Sequence, residues 1–264
     1  MMPIKFIQSA ANPELKHLAK LIKQSSYRRK QKQVVLEGIH LLQTFIDSDW
    51  QPVKIYVSEH SFNKTEIKTL LANIDSELIT LVADGLLSRI SSLSEADELT
   101  AIFSLPEIRK QNHYTDVVIL EDIQDPGNVG TILRSCAAVD IKNIILSQNC
   151  ADIWSPKVLR AAMGAHAFLY LEQVENLYQW CENYNYPIYA TVLHEAAQSL
   201  YTLKLTTPAA WIFGNEGSGV SSQLSQFASE YVIIPMAGKT ESLNVAMAAS
   251  VCLFEQQRQR MSDI

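Results

Sequence analysis

The stretch DVVILEDIQDPGNVGTILR, residues 116–134, decides the fold of the second half of the chain. A β-type run over 116–123 leads directly into a glycine-bearing loop and then into a helical pattern over 129–139. Glycine is favoured where the backbone turns sharply or approaches a ligand closely. A strand that ends in such a loop and continues into a helix is typical of ligand sites at the carboxyl edge of an α/β sheet.

Two further loops of this kind follow, FGNEGSGV at 213–220 and PMAGKTESLNVAMA at 235–248. Each comes after a β-type run, and the second leads into a helical pattern. The chain has nine glycines, and six of them lie in the three loops: Gly127, Gly130, Gly214, Gly217, Gly219 and Gly238. The sequence therefore predicts a small-molecule site to which all three loops contribute.

Strand and helix patterns alternate along the chain, which predicts an α/β fold with a parallel sheet and helices on both faces. We expect strands at 34–38, 53–57, 78–82, 99–103, 116–123, 143–147, 187–192, 209–213 and 231–235. We expect helices at 39–47, 64–72, 84–91, 129–139, 155–163, 173–184 and 242–260. The polar run PEIRKQNHY divides the pattern into a domain over 1–105, a linker over 106–114 and a domain over 115–264.

The N-terminal segment is strongly basic in a chain of net charge −6. Residues 1–32 contain eight Lys or Arg and one acid, and this asymmetry favours contact with nucleic acid or another anionic surface. A solvated helix face and a transit peptide are the alternatives. Asn12 and Pro13 predict a well-capped helix start, which favours a folded element. The residues predicted to contact RNA are Lys16, Lys20, Lys23, Arg28, Arg29 and Lys30.

The three loops do not fit two common nucleotide-binding patterns. A phosphate-binding P-loop would need glycine five residues before Gly238, where the chain has Ile233. The spacing G-x-x-G-x-G in FGNEGSGV differs from the dinucleotide fingerprint, and the loop lies too late in its domain.

Composition predicts a cytoplasmic protein without a metal site. The four cysteines are scattered, which argues for a reducing compartment and against a disulfide framework. No apolar run approaches the roughly 20 residues of a membrane helix. The six histidines lack metal-ligand spacing.

Several polar residues of the loops also fit plain structural roles when taken singly. Asn128 fits a helix cap and Arg134 a surface arginine, and Glu216 fits a solvated turn. Ser242 and Asn244 fit the cap and first turn of the last helix.

Taken together, the loops resemble the three motifs of the SpoU/TrmH branch of the SPOUT superfamily of RNA methyltransferases, in order and spacing. DPGNVGTILRSC is similar to motif 1, WIFGNEGSGVS to motif 2 and IIPMAGKTESLNVAMAASVCLFE to motif 3. SPKVLRAAMGA at 155–165 resembles the segment between motifs 1 and 2. Residues 1–105, with NPELKHLAKL and YRRKQKQVVLEGIHLL, are similar to a smaller ribosomal-protein-like RNA-binding domain.

The resemblance implies a C-terminal parallel-sheet SPOUT domain with a deep trefoil knot, a rare exception to unknotted chains. It also implies S-adenosylmethionine (AdoMet) bound in the knot and a homodimer with the site at the interface. The implied cofactor-binding positions are Gly214, Ile234 and Leu243, with Met236 and Gly238 as neighbours.

The implied reaction is methylation of a ribose 2′-hydroxyl, without a metal. Arg134 matches the catalytic arginine, and the other matching polar positions are Asn128, Glu216, Ser242 and Asn244. Because an arginine is always protonated, we expect Arg134 to grip a phosphate and stabilise the developing alkoxide rather than to remove the proton. Ribosomal RNA is favoured over tRNA, and a catalytically silent RNA-binding or ribosome-assembly protein is the alternative from another class.

Overall fold

The computed structural model describes residues 4–91, 99–106, 115–240 and 242–262, so the predicted linker lies, apart from Pro106, outside the described residues. The strands are β1 (Lys5–Ile7), β2 (Gln33–Glu37), β3 (Pro52–Ser58), β4 (Ile79–Val82), β5 (Leu99–Ser104), β6 (Val117–Leu120), β7 (Asn143–Ser147), β8 (Tyr170–Val174), β9 (Ile188–Thr191), β10 (Gln198–Ser199), β11 (Ala210–Phe213) and β12 (Glu230–Ile233). The helices are α1 (Pro13–Lys23), α2 (Ser25–Gln31), α3 (Ile39–Asp47), α4 (Glu59–Phe62), α5 (Thr65–Leu71), α6 (Leu86–Ile90), α7 (Pro126–Ala138), α8 (Pro156–Ala162), α9 (Leu177–Glu182), α10 (Ser222–Ser225) and α11 (Val245–Ser262).

The chain divides into two compact units. The N-terminal unit comprises Met1–Glu107 together with Trp154–Ala167, and the C-terminal unit comprises Ile108–Ile153 with Phe168–Ile264. The N-terminal unit has a mixed five-stranded sheet in the order β1-β4-β3-β5-β2, in which β5 runs antiparallel to both of its neighbours. Alternate residues of β2 face two separate cores, since Val34 and Leu36 lie in one cluster and Val35 in the other.

Helix α1 begins as the sequence predicts. The Asn12 side chain accepts a hydrogen bond from the Glu14 N–H at 2.8 Å, and Pro13 occupies the first turn. Four apolar residues of α1 are buried, whereas Lys16, Lys20 and Lys23 are exposed. The charged face of this helix is therefore available to solvent.

Arg28 corrects the predicted set of RNA-binding residues. Helix α2 starts two residues after α1 ends, and this tight connection brings Arg28 against the last turn of α1. The side chain is 4% exposed, and its Nη1 donates to the carbonyl oxygens of Leu21 at 2.5 Å and Ile22 at 3.0 Å. Arg28 thus satisfies carbonyls at a helix end that have no partner within the helix.

The segment Trp154–Ala167 completes the N-terminal unit although it comes much later in the sequence. Leu159 is fully buried in the core that also contains Phe45 and Phe103. Gly164 has a φ of +87°, and a Cβ atom at this position would lie 2.7 Å from Thr44 Cγ2. Only glycine allows both this backbone conformation and this close approach.

The C-terminal unit has a seven-stranded sheet in the order β10-β12-β9-β11-β6-β7-β8, and its neighbouring strands pair in parallel. The predicted helix over 173–184 is partly wrong. Tyr170–Val174 pairs with β7 as an edge strand, and only Leu177–Glu182 is helical, capped by Asn176.

Strand β6 lies where the direction of strand order changes. The chain passes from β6 through α7 to β7 on one side, whereas β11 lies on the other side. In parallel sheets, ligands bind outside the carboxyl ends of the strands at such a switch point. The loops after β6 and β11 are therefore adjacent at the most favourable position for a site.

Candidate active site

The three loops singled out in the sequence are joined by hydrogen bonds at the carboxyl edge of the seven-stranded sheet. Glu216, in the loop after β11, accepts hydrogen bonds from the backbone N–H groups of Gln124 at 3.3 Å and Asp125 at 3.1 Å. It also accepts one from Asn128 Nδ2 at 3.0 Å. The carboxylate of the second loop thereby holds the first loop through three donors.

Asn128 and Asn244 extend this contact to the third loop. Asn128 Oδ1 accepts from Asn244 Nδ2 at 2.9 Å, so Asn128 donates to one loop and accepts from another. Asn244 Oδ1 in turn accepts from the N–H groups of Ala246 at 2.9 Å and Met247 at 3.3 Å. We call Glu216, Asn128 and Asn244 the loop triad.

The helix starts differ from the sequence-based expectation. Asp125, not Asn128, caps α7, since its Oδ1 accepts from the Asn128 N–H at 2.8 Å. The last helix begins at Val245 rather than near Ser242, with Asn244 bonding the N–H groups of its first turn. These shifts leave the amide side chain of Asn128 free to join the loops instead of closing its own helix.

The pKa of Glu216 lies below its usual range. Burial raises this pKa, but hydrogen bonds from Asn128, from its own backbone, and from the Asp125 and Gln124 N–H groups lower it by more. Donors that favour the carboxylate over the acid have this effect. Glu216 is therefore a carboxylate at neutral pH and acts in the site as an acceptor.

The glycine loop after β11 needs glycine at its first position. A Cβ atom on Gly214 would lie 2.2 Å from the Val220 nitrogen and 2.3 Å from the Gly219 carbonyl oxygen, because the two ends of the loop close over it. Asn215 stabilises the turn, since its Oδ1 accepts from the Gly217 N–H at 2.9 Å and from the Ser218 N–H at 3.2 Å.

The residues predicted to bind AdoMet differ in how far they are exposed to solvent. Gly214 is buried, Ile234 and Met236 are partly buried, and Gly238 is exposed. Leu243 is 38% exposed. The segment from 234 to 240 follows β12 without helix or strand structure, so its backbone offers polar groups beside apolar side chains. Such a mixture fits a purine ring with a polar edge.

Arg134 and Ser242 are not among the residues that the loop triad brings together. Arg134 lies on α7 and is exposed. It lies six positions after Asn128 along the helix, which corresponds to about 9 Å along the axis and about 120° around it. No hydrogen bond or ion pair joins Arg134 to another side chain among the residues that the structure describes. Ser242 is exposed and lies two residues before Asn244.

The predicted RNA-binding residues other than Arg28 lie on the surface of the N-terminal unit. Lys16, Lys20, Lys23, Arg29 and Lys30 are exposed. Lys20 Nζ lies 5.6 Å from the centre of the Tyr27 ring, close enough for a cation–π interaction.

The sequence does not identify the residues that anchor the glycine loop (213–220) to the segment after β6. Asn215 Nδ2 donates to the Asp122 carbonyl oxygen at 2.8 Å, and Ser221 bonds the Glu121 carboxylate through both its N–H and its hydroxyl. These partners lie about ninety residues apart in sequence, so only the pairing of β6 with β11 reveals them.

Within the described ranges, no group of three or more His, Cys, Asp and Glu side chains could hold a metal ion. No helix in the described part of the chain is both long and apolar enough to span a bilayer.

Two known protein families match parts of this chain. Residues 116–254 match the SpoU rRNA methylase family. The chain belongs to this family. Residues 12–101 match the MRM3-like substrate-binding domain. The SpoU match covers all three loops, and the second match lies within the N-terminal unit.

Relatives of this SpoU protein match along almost its entire length. An uncharacterised tRNA/rRNA methyltransferase of Synechocystis is 32% identical, over 97% of this chain and 95% of its own. The 23S rRNA (guanosine(2553)-2′-O)-methyltransferase of Bacillus subtilis is 26% identical, over 95% and 98%. The crystal structure of an AdoMet-bound rRNA methyltransferase from Sinorhizobium meliloti superimposes with a TM-score of 0.82 at 25% identity, covering 96% of this chain and 97% of its own.

Proposed function

We propose that this protein is an RNA 2′-O-methyltransferase that transfers the methyl group of AdoMet to a ribose 2′-oxygen of ribosomal RNA, releasing S-adenosylhomocysteine and the hydroxyl proton. The observation that carries the proposal is the loop triad, because it joins all three family motifs at one edge of the sheet. Relatives aligned over nearly the whole chain include an enzyme of this type acting on 23S rRNA.

The glycine loop and the segment after β12 would hold AdoMet, which supplies a methyl group activated by its sulfonium centre. Gly214 and Gly238 would admit the cofactor close to the backbone, while Ile234, Met236 and Leu243 would cover its apolar surface. The chain's own task is then alignment of the ribose oxygen with the methyl group. Well-oriented groups can contribute about 7–11 kcal/mol to such a displacement.

Arg134 would act on the RNA rather than on the cofactor. Its guanidinium stays protonated, so it would bind the phosphate next to the reacting ribose and stabilise negative charge developing on the 2′-oxygen. Asn128, Glu216, Ser242 and Asn244 would orient the two substrates. The exposure of Arg134 supports this role because a phosphate can reach it.

A homodimer would complete the site. Within one chain Arg134 and Asn128 face different sides of α7, so a second copy would supply the arginine to the loop triad. Helix α11 offers a surface for this contact, since Met247, Phe254 and Met261 recur every seven residues and are 55%, 48% and 66% exposed. Helix α7 packs beside it through a hydrogen bond between the hydroxyls of Ser135 and Ser250 at 2.7 Å. Covering this stripe would bury apolar surface close to Arg134.

We also propose the deep trefoil knot and a domain division at 1–105 and 115–264. The segment Trp154–Ala167 departs from this division, because it belongs to the N-terminal compact unit. Strand β9 lies between β11 and β12 in the sheet, so the chain crosses it after the glycine loop. The end of α11 then returns to the segment before β11, where Gln259 and Arg260 bond the backbone at Leu203, Leu205 and Thr207.

The four cysteines are buried free thiols, which suits the reducing cytoplasm.

The N-terminal unit would bind the RNA backbone through its exposed basic residues. Replacing Lys16, Lys20 and Lys23 together by glutamine should weaken RNA binding and reduce its salt slope by about 2 to 3, since each phosphate contact contributes roughly 0.7 to 0.9. An unchanged slope in filter-binding titrations would remove this face from the RNA contact.

The central test incubates the protein with isotope-labelled AdoMet and total RNA and then maps 2′-O-methylated nucleotides. We expect label in ribosomal RNA. Label confined to tRNA would overturn the choice of substrate, and absence of label from every RNA would overturn the enzymatic function. A silent RNA-binding protein would additionally fail to bind AdoMet in calorimetry.

A further inference from the structure

The glycine loop is fastened to the segment after β6 at three places. Glu216 holds the first loop, Asn215 bonds the Asp122 carbonyl, and Ser221 bonds Glu121. The first of these contacts belongs to the loop triad. The last lies at the exit of the loop and has no place in the reaction described so far.

Glu121 is a buried carboxylate with both oxygens engaged by one residue. Its side chain belongs to a residue that is only 8% exposed. Oε2 accepts from the Ser221 N–H at 2.7 Å, and Oε1 accepts from the Ser221 hydroxyl at 2.5 Å. Such short bonds to a carboxylate are about twice as strong as bonds between neutral groups, and they offset the cost of burial.

Ser221 also stabilises the chain that follows the loop. Its Oγ accepts from the Leu224 N–H at 3.1 Å and so caps α10. The entrance of the loop is fixed by the sheet, because the Glu121 N–H donates to the Phe213 carbonyl at 2.9 Å. Glu121 therefore holds both ends of the glycine loop, one through its backbone and the other through its side chain.

The loop depends on such polar anchors because it has little apolar packing. Residues 216–219 are exposed, and two of these four are glycines. A segment with few buried contacts opens easily unless hydrogen bonds hold it.

We propose that Glu121 is a positioning residue that, through Ser221, holds the glycine loop in the shape that receives the methyl donor. This inference rests on the proposed function, because it assigns the loop to AdoMet. Glu121 is buried and acts through Ser221, so it belongs to the support of the site and not to the reacting groups.

The test uses Glu121→Gln and Ser221→Ala in the full-length protein. Glutamine keeps the size of the side chain but is neutral and has one acceptor oxygen. The two charge-assisted bonds from Ser221 are therefore replaced by at most one bond to the amide oxygen and one weaker bond in which the amide NH2 donates to the hydroxyl. We expect the Kd for AdoMet in calorimetry to rise about tenfold in each variant, with RNA affinity within about twofold. Amide hydrogen exchange of residues 215–221, measured without AdoMet, should become faster. Glu172→Gln, the same change on edge strand β8, serves as the matched control and should alter neither.

The double variant tests the connection between the two residues. If Glu121 acts through Ser221, the double variant should bind AdoMet no more weakly than the weaker single variant. Multiplied effects, about a hundredfold in total, would show independent action and overturn the inference. If Glu121→Gln fails to fold, Ser221→Ala alone carries the test.

Two further outcomes separate this inference from the proposed function. A lower Tm with unchanged AdoMet affinity and unchanged loop exchange would reduce Glu121 to a purely structural residue. If the wild-type protein itself fails to bind AdoMet, the proposed function fails and the inference falls with it, even if hydrogen exchange shows that Glu121 anchors the loop.

Discussion

The seven-stranded sheet carries one polar network at the amino ends of its strands, the amino edge, and one at their carboxyl ends, the carboxyl edge, and the two networks differ in how accessible they are to solvent. At the amino edge, Asp116 precedes β6 and is largely enclosed. At the carboxyl edge, the loop triad connects three loops at the surface. Both networks tie together segments that are distant in sequence.

The amino-edge network uses its acceptors fully. Asp116 accepts from the Ala209 N–H at 3.0 Å, from Gln256 Nε2 at 3.0 Å and from Arg260 at 2.5 and 2.9 Å. Gln256 is 1% exposed and accepts from Trp211 Nε1 at 2.5 Å. These hydrogen bonds fix the position of the end of α11.

The number of hydrogen bonds does not distinguish a structural network from a functional one. Glu216 accepts three hydrogen bonds and Asp116 four, yet Glu216 is exposed, and its partners lie in the loop after β6 and in the first turn of α7. Solvent access allows a ligand to compete for these groups, whereas Asp116 is surrounded by its partners. Changes at the carboxyl edge should therefore affect catalysis, and changes at the amino edge should affect stability.

The largest expected effect comes from Arg134→Ala, on the helix that follows the carboxyl edge. Methyl transfer should fall by about a thousandfold, as when an enzyme loses a donor to developing negative charge. AdoMet affinity in calorimetry should stay within about twofold, and Tm should not change, because Arg134 is exposed. An equal loss of AdoMet binding and of activity would contradict the assignment of Arg134 to the RNA.

Asp116→Ala should have the next largest effect, and on stability. Removing this carboxylate breaks the ion pair with Arg260, which keeps only backbone carbonyls as acceptors, and it removes an acceptor from Gln256 Nε2 and from the Ala209 N–H. This loss should lower the free energy of unfolding by about 3 kcal/mol. Denaturant unfolding checks the value, and Asp116→Asn, which keeps one acceptor oxygen, should cost less. A fall in kcat of the folded Asp116→Ala protein would break the contrast between the two edges.

Glu216→Gln should reduce methyl transfer by about ten- to a hundredfold. The amide keeps one acceptor, yet its NH2 group opposes at least one of the N–H donors of the first loop, and a hydrogen bond to a charged group contributes about 1.5 to 3 kcal/mol. Single-turnover rates at saturating AdoMet measure the effect. Unchanged rates would show that the carboxylate is no more than a surface turn residue.

The smallest expected effect is a pH dependence that Glu216 imposes on stability. Because its pKa is lowered in the folded protein, its contribution is fully present above the usual glutamate range and is lost as the pH falls through the lowered pKa. The difference in unfolding free energy between wild type and Glu216→Gln should thus be constant above about pH 5 and shrink in more acidic buffer. A difference that grows on acidification would contradict the lowered pKa.

The sequence predicted elements well where local signals were strong. Asn12 and Pro13 mark the start of α1, and the alternation of patterns identified most strands. Strand β8 was missed because it is a half-exposed edge strand whose YLEQVEN neighbourhood contains good helix formers. Its pairing with β7 outweighs that preference.

The site was predictable where family motifs mark it and unpredictable where tertiary contacts decide it. Asn128, Glu216 and Asn244 were identified by their motif positions, and the structure brings them together. The prediction that Arg28 contacts RNA is wrong, because YRRKQK is rich in basic residues that look alike in the sequence. No local signal indicates that one of its arginines is buried against the last turn of α1. The roles of Glu121 and Ser221 depend on strand register across a hundred residues.

The position of Trp154–Ala167 late in the sequence affects how the N-terminal unit folds during synthesis. The N-terminal unit includes this segment in its core through Leu159, so it lacks part of its interior until the ribosome has released Ala167. Synthesis of β6, α7 and β7 must therefore precede completion of a unit that begins at the amino terminus. A gene truncated after residue 107 would encode an incomplete domain, and exchange of substrate-binding modules between such genes would have to transfer two separate stretches of coding sequence.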